Sequence, residues 1–483
     1  MLTPIRTRGR RKRPRPSSDG APKPIRSGPK GGRPMNPPNA NGLLSGSSRS
    51  KRSRLLVARP PAPKPREKLS RLESLPVELI EKIFLYSLNV NLPRSSHFLA
   101  AAVSSERIYR ALTLLAFWND SIQARLEEES DTEADTNAVP EATKVAGRWI
   151  SQVLRPLEYT PLSLDQRRSF QVSILHCRWC TIHRIVDHLP DLMRLTVWRQ
   201  WVAKPINMPS DQQEGLRLFL AQKGDRGTFD GTGEGGKGYV LSIEPLVSVT
   251  ITGRGTDSRW IFPILGIFEI PDKFLRGMSE GFSELHTHFL ELIRVSGGLN
   301  SRSLYRNVFV SREAIQQGVH MALVEHNVDA LTTLLKIDEY SFRCENWTLP
   351  YTLPPEHFRS AVRVARDDAR LFQLLIRASA ESIPLDDSEI TQWAMELDTA
   401  LGPWLLDFMM ELPQRLRAVS ADPEGEAMFY LGRANAQCPI MERYLNDVLA
   451  VDTLDHWIGE TSLDISSIWA IGDGIGTSNG SPV

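Results

Sequence analysis

The feature that most restricts how this chain can fold is a change of polymer near residue 69. The first 69 residues hold 19 Lys and Arg against only Asp19 and Glu67, with 13 prolines and no aromatic residue. Such a segment has too little apolar surface to offset its ordering entropy, so residues 1–69 are expected to be a disordered basic tail. The other 414 residues hold 39 Lys and Arg against 55 Asp and Glu. The net charge of +1 is therefore an average over a basic arm and an acidic body, and describes neither. With 483 residues and 41% apolar side chains, the chain has material for two or three domains.

Beyond the tail the reading is mainly α. A three-helix module is expected over 70–126. Next comes an acidic, solvated loop over 127–143, where Glu127, Glu128, Glu129, Asp131, Glu133 and Asp135 surround the candidate phosphorylation sites Ser130 and Thr132. Residues 144–280 read as a helical region with short β-strands. Phe170, Ile174, Leu175, Ile182, Ile185, Val186 and Leu189 recur at helical spacing, whereas Tyr239–Ile243, Leu246–Thr252 and Trp260–Ile270 are β-branched or aromatic runs. The Gly-rich stretch 221–238 is expected to be a loop, and 451–483 a C-terminal tail.

Residues 281–450 return to helix and suggest internal repetition. Met321-Ala-Leu-Val-Glu-His-Asn-Val-Asp-Ala-Leu-Thr-Thr-Leu-Leu335 aligns without gaps with Ala361–Leu375, 40 residues on. Leu405–Leu406, after Trp393–Met395, is a candidate third copy and Tyr444–Leu445 a fourth. Each unit reads as a helix, a polar turn and a second helix ending in a Leu pair, so a helical array serving as an interaction domain is expected. The units loosely resemble ankyrin-type helix pairs, without the turn signature of those repeats.

The strongest local signal is Ser74-Leu-Pro-Val-Glu-Leu-Ile-Glu-Lys-Ile-Phe-Leu-Tyr-Ser-Leu88. Ser74 suits a helix cap, Pro76 a first turn, and Glu78 the positive end of the helix dipole. Leu75, Leu79, Ile80, Ile83, Phe84 and Leu88 form one broad apolar stripe. Two further short helices, Phe98–Val103 and Glu106–Trp118, complete a unit with more apolar surface than it can hide, which invites a partner.

At Leu75, Pro76, Glu78, Leu79, Ile83 and Phe84 the segment resembles the opening helix of the F-box family, Leu-Pro-x-Glu-Leu/Ile-x-x-x-Ile-Phe/Leu. Where many F-boxes carry a Trp in the third helix, this chain has Arg107-Ile108-Tyr109. Ser105–Leu112, Cys177-Arg-Trp-Cys-Thr181 and Ile337–Tyr340 resemble phrases of a larger group of fungal F-box-like proteins. The resemblance implies a three-helix domain docking, through those six residues, on the adaptor subunit of a cullin-based ubiquitin ligase. The rest of the chain would then select an unknown protein client.

Other constellations are weaker. Arg8, Arg10, Arg11, Lys12, Arg13 and Arg15 suit the acidic groove of a nuclear-import receptor, with Lys51-Arg52-Ser53-Arg54 as a second basic box, so the nucleus, with the cytoplasm besides, is the expected location. The tail has no aromatics to stack on bases, which argues against sequence-specific nucleic-acid binding. Cys177 and Cys180, with His176 and His183, are expected to pack, because no second cluster completes four ligands. Gly231–Gly238 has the glycines of a phosphate loop but Gly238 where Ser or Thr should follow Lys237. His286 and His288, with Glu284 and Glu291, are two apart instead of four and are expected at the surface. Four cysteines in so long a chain point to a reducing compartment, and no apolar run reaches the ~18–20 residues that span a bilayer. No catalytic frame and no cofactor site is recognised. Two readings stand: a non-enzymatic ligase adaptor, or a nuclear scaffold with an F-box-like fold.

Overall fold

The structure, a computed structural model, describes residues 70–117, 162–202, 206–221, 226–255, 258–277, 281–299, 308–346, 351–364, 368–418, 428–434 and 438–454, and also Leu349, Trp457, Ile458, Leu463 and Ile468. The basic arm with its import-type cluster and the acidic stretch 127–143 lie outside these residues. All described residues fall within one contact unit, Lys68–Val483. The architecture is mainly helical with a small antiparallel sheet, as expected.

Helix α1 (Val77–Ser87) opens on Pro76 in the N-cap position. Ser74, expected to cap it, instead donates its hydroxyl to the Arg71 carbonyl at 2.7 Å. The helix stops where Leu88 turns left-handed (φ 46°) and its N–H bonds the Phe84 carbonyl. Helix α2 (His97–Ala102) is capped by Ser96, whose hydroxyl accepts from the Phe98 N–H at 3.1 Å. Helix α3 (Glu106–Phe117) is buried from Ala111 to Phe117 without a break, because it serves two cores at once. One side meets α1; the other packs on α4 (Leu164–Leu175) and α5 (Ile182–Val197). The joint is polar at its centre. The fully buried Gln171 donates to the carbonyls of Ala116 (3.0 Å) and Gly266 (2.7 Å) and accepts from the Phe268 N–H (2.8 Å). Arg110 pairs with Asp191 at 2.7 Å.

Helix α5 runs into a π-helical turn, Trp198–Val202, and is followed by α6 (Ser210–Ala221). The sheet is a simple meander of β1 (Gly227–Thr232), β2 (Gly238–Glu244), β3 (Ser248–Gly253) and β4 (Arg259–Pro263). Phe229, Leu241, Ile251 and Trp260 stand side by side across it. The stretch expected to be a Gly-rich loop therefore contains a strand. Its glycines are demanded by close approach: a Cβ on Gly231 would lie 2.5 Å from Ile206 and 2.8 Å from Trp201. The phosphate-loop look-alike is the β1–β2 hairpin turn, with Lys237 exposed on it.

Strands β5 (Glu269–Ile270) and β6 (Phe309–Val310) pair in parallel, with the short α7 (Asp272–Leu275) between them in sequence. Helix α8 (Glu284–Ser296) is buried continuously from Leu285 to Arg294. His286, His288 and Glu291 are thus interior, not surface, residues. Several of the buried polar groups find partners: His286 Nε2 lies 2.7 Å from the Phe274 carbonyl, His288 Nδ1 2.8 Å from the Glu284 carbonyl, and Arg294 grips Glu291 with two bonds of 2.7 and 2.8 Å. Burial lowers the pKa of His286, so the ring is neutral near pH 7.

The C-terminal half stacks helix pairs: α9 (Arg312–Val324) with α10 (Val328–Glu345), α11 (Pro355–Val364) with α12 (Arg370–Ser379), and α13 (Ser388–Glu396) with α14 (Leu401–Ala418). Helices α9, α11 and α13 pack in one row and α10 against α12 in another, so the aligned copies are repeats of structure. Leu334, Leu335, Leu375 and Leu405 fill the interior, and Phe358, Phe372 and Trp393 bridge pairs at 5.5 and 4.9 Å. The fourth copy is no pair: Tyr444–Leu445 begin a π-helical turn (Tyr444–Leu449) that continues α15 (Pro439–Arg443), and Tyr444 lies 4.5 Å from Trp404. Nor is 451–483 wholly a tail. Trp457, Ile458 and Ile468 are core residues. Trp457 donates to Glu339 at 3.0 Å, and the Ile458 carbonyl accepts from Arg294 at 2.6 Å.

Candidate functional site: the outer face of the first helix

The single stripe expected on α1 is two faces. Ile80, Glu81, Phe84 and Leu85 point into the module. Val77, Leu79, Ile83 and Tyr86 point outward, at 44%, 47%, 41% and 55% exposure. Leu79, Ile83 and Tyr86 follow one another by four and three residues, which places them on one side of the helix. Phe98, on α2, is exposed as well.

Of the six residues singled out by the F-box resemblance, Pro76, Glu78, Leu79 and Ile83 are exposed and Leu75 is half-buried against the core. Phe84 is corrected: at 3% exposure it holds the module together and has no free surface for a partner. Val77, Tyr86 and Phe98 were not anticipated. For Tyr86 the signal was present, one turn beyond Ile83.

Polar contacts fix how this face is presented. Glu81, nearly buried, pairs with Arg107 of α3 and ties α1 down from behind. Glu73 accepts from the Ser96 hydroxyl and from the Ser70 N–H (2.6 Å), clamping the turn before α1 to the start of α2. Those hydrogen bonds, Ser96 first, hold its carboxyl below the usual range. On the surface Lys82 lies 5.8 Å from the Tyr86 ring, a weak cation–π contact.

Behind the module, Tyr109 stacks on Trp179 at 4.5 Å, and the Arg184 guanidinium covers Tyr109 at 4.6 Å. The aromatic partner of the third helix thus comes from the Cys177-Arg-Trp-Cys180 phrase. Cys180 is buried, and burial pushes its thiol up to about 12; the Cys177 thiol is also raised by burial. Lys273 donates to the carbonyls of Cys180 (3.0 Å) and Cys177 (3.4 Å). These are the marks of a packed turn whose thiols are protonated near neutral pH. Among the described residues no three His, Cys, Asp or Glu gather in an arrangement that could hold a metal ion, and no helix is long and apolar enough to cross a membrane.

No family model matches the chain, and no curated protein or solved structure is significantly similar to it.

Proposed function

We propose that the chain is a non-catalytic adaptor. The outer face of α1 docks on the adaptor subunit of a cullin-based ubiquitin ligase, and the body behind it carries a protein client. One observation carries this reading: Val77, Leu79, Ile83 and Tyr86 stay exposed on a helix whose opposite side is fully used. An apolar helix face of this kind is a recurrent protein-docking surface. The contribution to ubiquitin transfer is proximity, holding client lysines near the loaded enzyme. The basic cluster Arg8–Arg15 is proposed as the signal read by a nuclear-import receptor.

The test is retention of the purified ligase adaptor subunit by the full chain, wild type and Leu79→Lys. The full chain is needed because α3 packs on α4 and α5 as well as on α1. Losing a buried Leu contact costs ~1.5–3 kcal/mol, so Leu79→Lys should weaken binding about tenfold to a hundredfold at unchanged circular dichroism. If neither form is retained, the chain is a nuclear scaffold with an F-box-like module and the ligase reading is dropped.

A further inference from the structure

Trp457 and Ile458 come late in the chain, yet they are packed into the middle of the array. The Trp457 ring, 1% exposed, lies against Gly432, which has φ 77° and sits between β7 (Phe429–Tyr430) and β8 (Arg433–Ala434). Its indole N–H donates to Glu339 of α10 at 3.0 Å, and the Arg377 guanidinium of α12 lies 5.2 Å from the ring. The Ile458 carbonyl accepts from Arg294 of α8. Two hydrogen bonds and one ring thus tie this piece of chain to three helices, and one of the two bonds ends on an acid.

Glu339 is fully buried, and it also accepts from Arg343 at 3.1 Å. Arg343 faces a second acid: the part-buried Glu381, in the turn after α12, which accepts from the Met428 N–H. The other charges nearby are engaged. Asp338 is met by Arg312 at 3.4 Å and the Tyr351 hydroxyl at 2.7 Å, Glu291 is closed onto Arg294, and Lys336, one turn before Glu339, is partnered. Tyr444, near Arg377, is kept protonated by burial. Glu339 and Glu381 therefore share one guanidinium, and ionising both in a low-dielectric interior is costly. Burial lifts Glu339 to about 7 and raises Glu381 as well. A neutral carboxyl still accepts the indole hydrogen bond. Lifting Trp457 lets water reach that carboxyl, and a hydrated glutamate beside Arg343 ionises.

We propose that Trp457 and Ile458 form a strap that opens locally and reversibly, with one proton passing from Glu339 to water at each opening. Acid tightens the strap and a rise toward neutral pH loosens it. The sign follows from linkage: an acid whose closed-state pKa is raised favours closure fully below its ordinary pKa, and that contribution is lost as pH climbs to the closed-state value. The strap is independent of the adaptor reading and needs no ligase.

The experiment follows hydrogen exchange of the Trp457 indole N–H by NMR in the isotope-labelled full chain, the signal being assigned by its loss in Trp457→Phe. Protection, taken relative to free tryptophan at the same pH, should fall about tenfold per pH unit between about pH 5 and 6.5 and level off above about pH 7. It should also stay below that of the backbone amides of Leu334 and Leu335 in α10, because the strap opens without the fold. Glu339→Gln keeps an acceptor for the indole but cannot ionise, so its protection should not vary with pH. Glu381→Gln leaves Arg343 to Glu339 alone and should move the levelling-off to lower pH, which keeps the test open if Glu339→Gln does not fold. Wild-type protection that is constant from about pH 5 to 8 would overturn the strap. So would a pH dependence that a folded Gln variant leaves unaltered, or an indole as strongly protected as Leu334 and Leu335.

Discussion

Gln171→Leu is the substitution that tests most directly whether the N-terminal module and the body are one unit. Leucine nearly matches glutamine in volume but offers neither donor nor acceptor, so the change is felt almost wholly through hydrogen bonds. Three are lost at a site with no solvent access: those to the carbonyls of Ala116 and Gly266 and that from the Phe268 N–H. An orphaned buried N–H costs ~1–3 kcal/mol, and a carbonyl, with a second lone pair, costs less. The expected loss is ~3 kcal/mol. It should appear in chemical denaturation as a lower midpoint at unchanged slope. Hydrogen exchange should localise it, because the amides of Ala111–Phe117 and of Phe268 would open together. A loss below ~1 kcal/mol, with exchange in α3 unaltered, would refute the claim that this amide joins the two parts.

Gly432→Ala should be among the most damaging small changes: Gly432 has φ 77°, and an added Cβ would sit 2.0 Å from the Trp457 ring. A drop of several degrees in Tm checks it. Glu339 titrates at about 7 instead of 4.5 because burial outweighs the help of Arg343 and Trp457. Its folded pKa is raised, so its contribution to stability is complete below pH ~4.5 and is lost as pH rises through ~7. Glu339→Gln should therefore flatten the decline in stability between pH 5 and 8, and a slope equal to wild type would show that Glu339 does not titrate there. Replacing Arg10, Arg11, Lys12 and Arg13 by Ala should move a tagged protein out of the nucleus, as read by microscopy; unchanged accumulation would show that the cluster is not required for import.

What the sequence disclosed follows from where pattern and packing coincide. The opening of α1 and the 40-residue echo between Met321–Leu335 and Ala361–Leu375 were legible because the apolar residues that fill the core recur at helical spacing: Ile80 and Phe84 on α1, Leu331 and Leu335 in one copy, Leu371 and Leu375 in the next. Strand β1 was hidden because glycines chosen for close approach, Gly227 and Gly231, look like loop residues. Helix α8 was misread because its polar residues lie on every side; periodicity assigns such residues to solvent and cannot see that Arg294 answers Glu291. On α1 the two apolar faces adjoin, so a pattern of letters could not show that Phe84 turns inward and Tyr86 outward. Trp457 and Ile458 were overlooked because two isolated residues carry no period at all.

The bond from Arg294 to the Ile458 carbonyl spans 164 residues, and it sets an order of events during synthesis. Helix α8 leaves the ribosome carrying a charge pair that the finished molecule keeps from water, yet the carbonyl that completes Arg294's contacts is translated much later. Until then that one bond of Arg294 is unmade, and closing so long a loop is slow. A premature stop shortly before Trp457 would remove few residues. Its damage would fall at the centre of the molecule, and such a product is a target for quality control despite an intact α1.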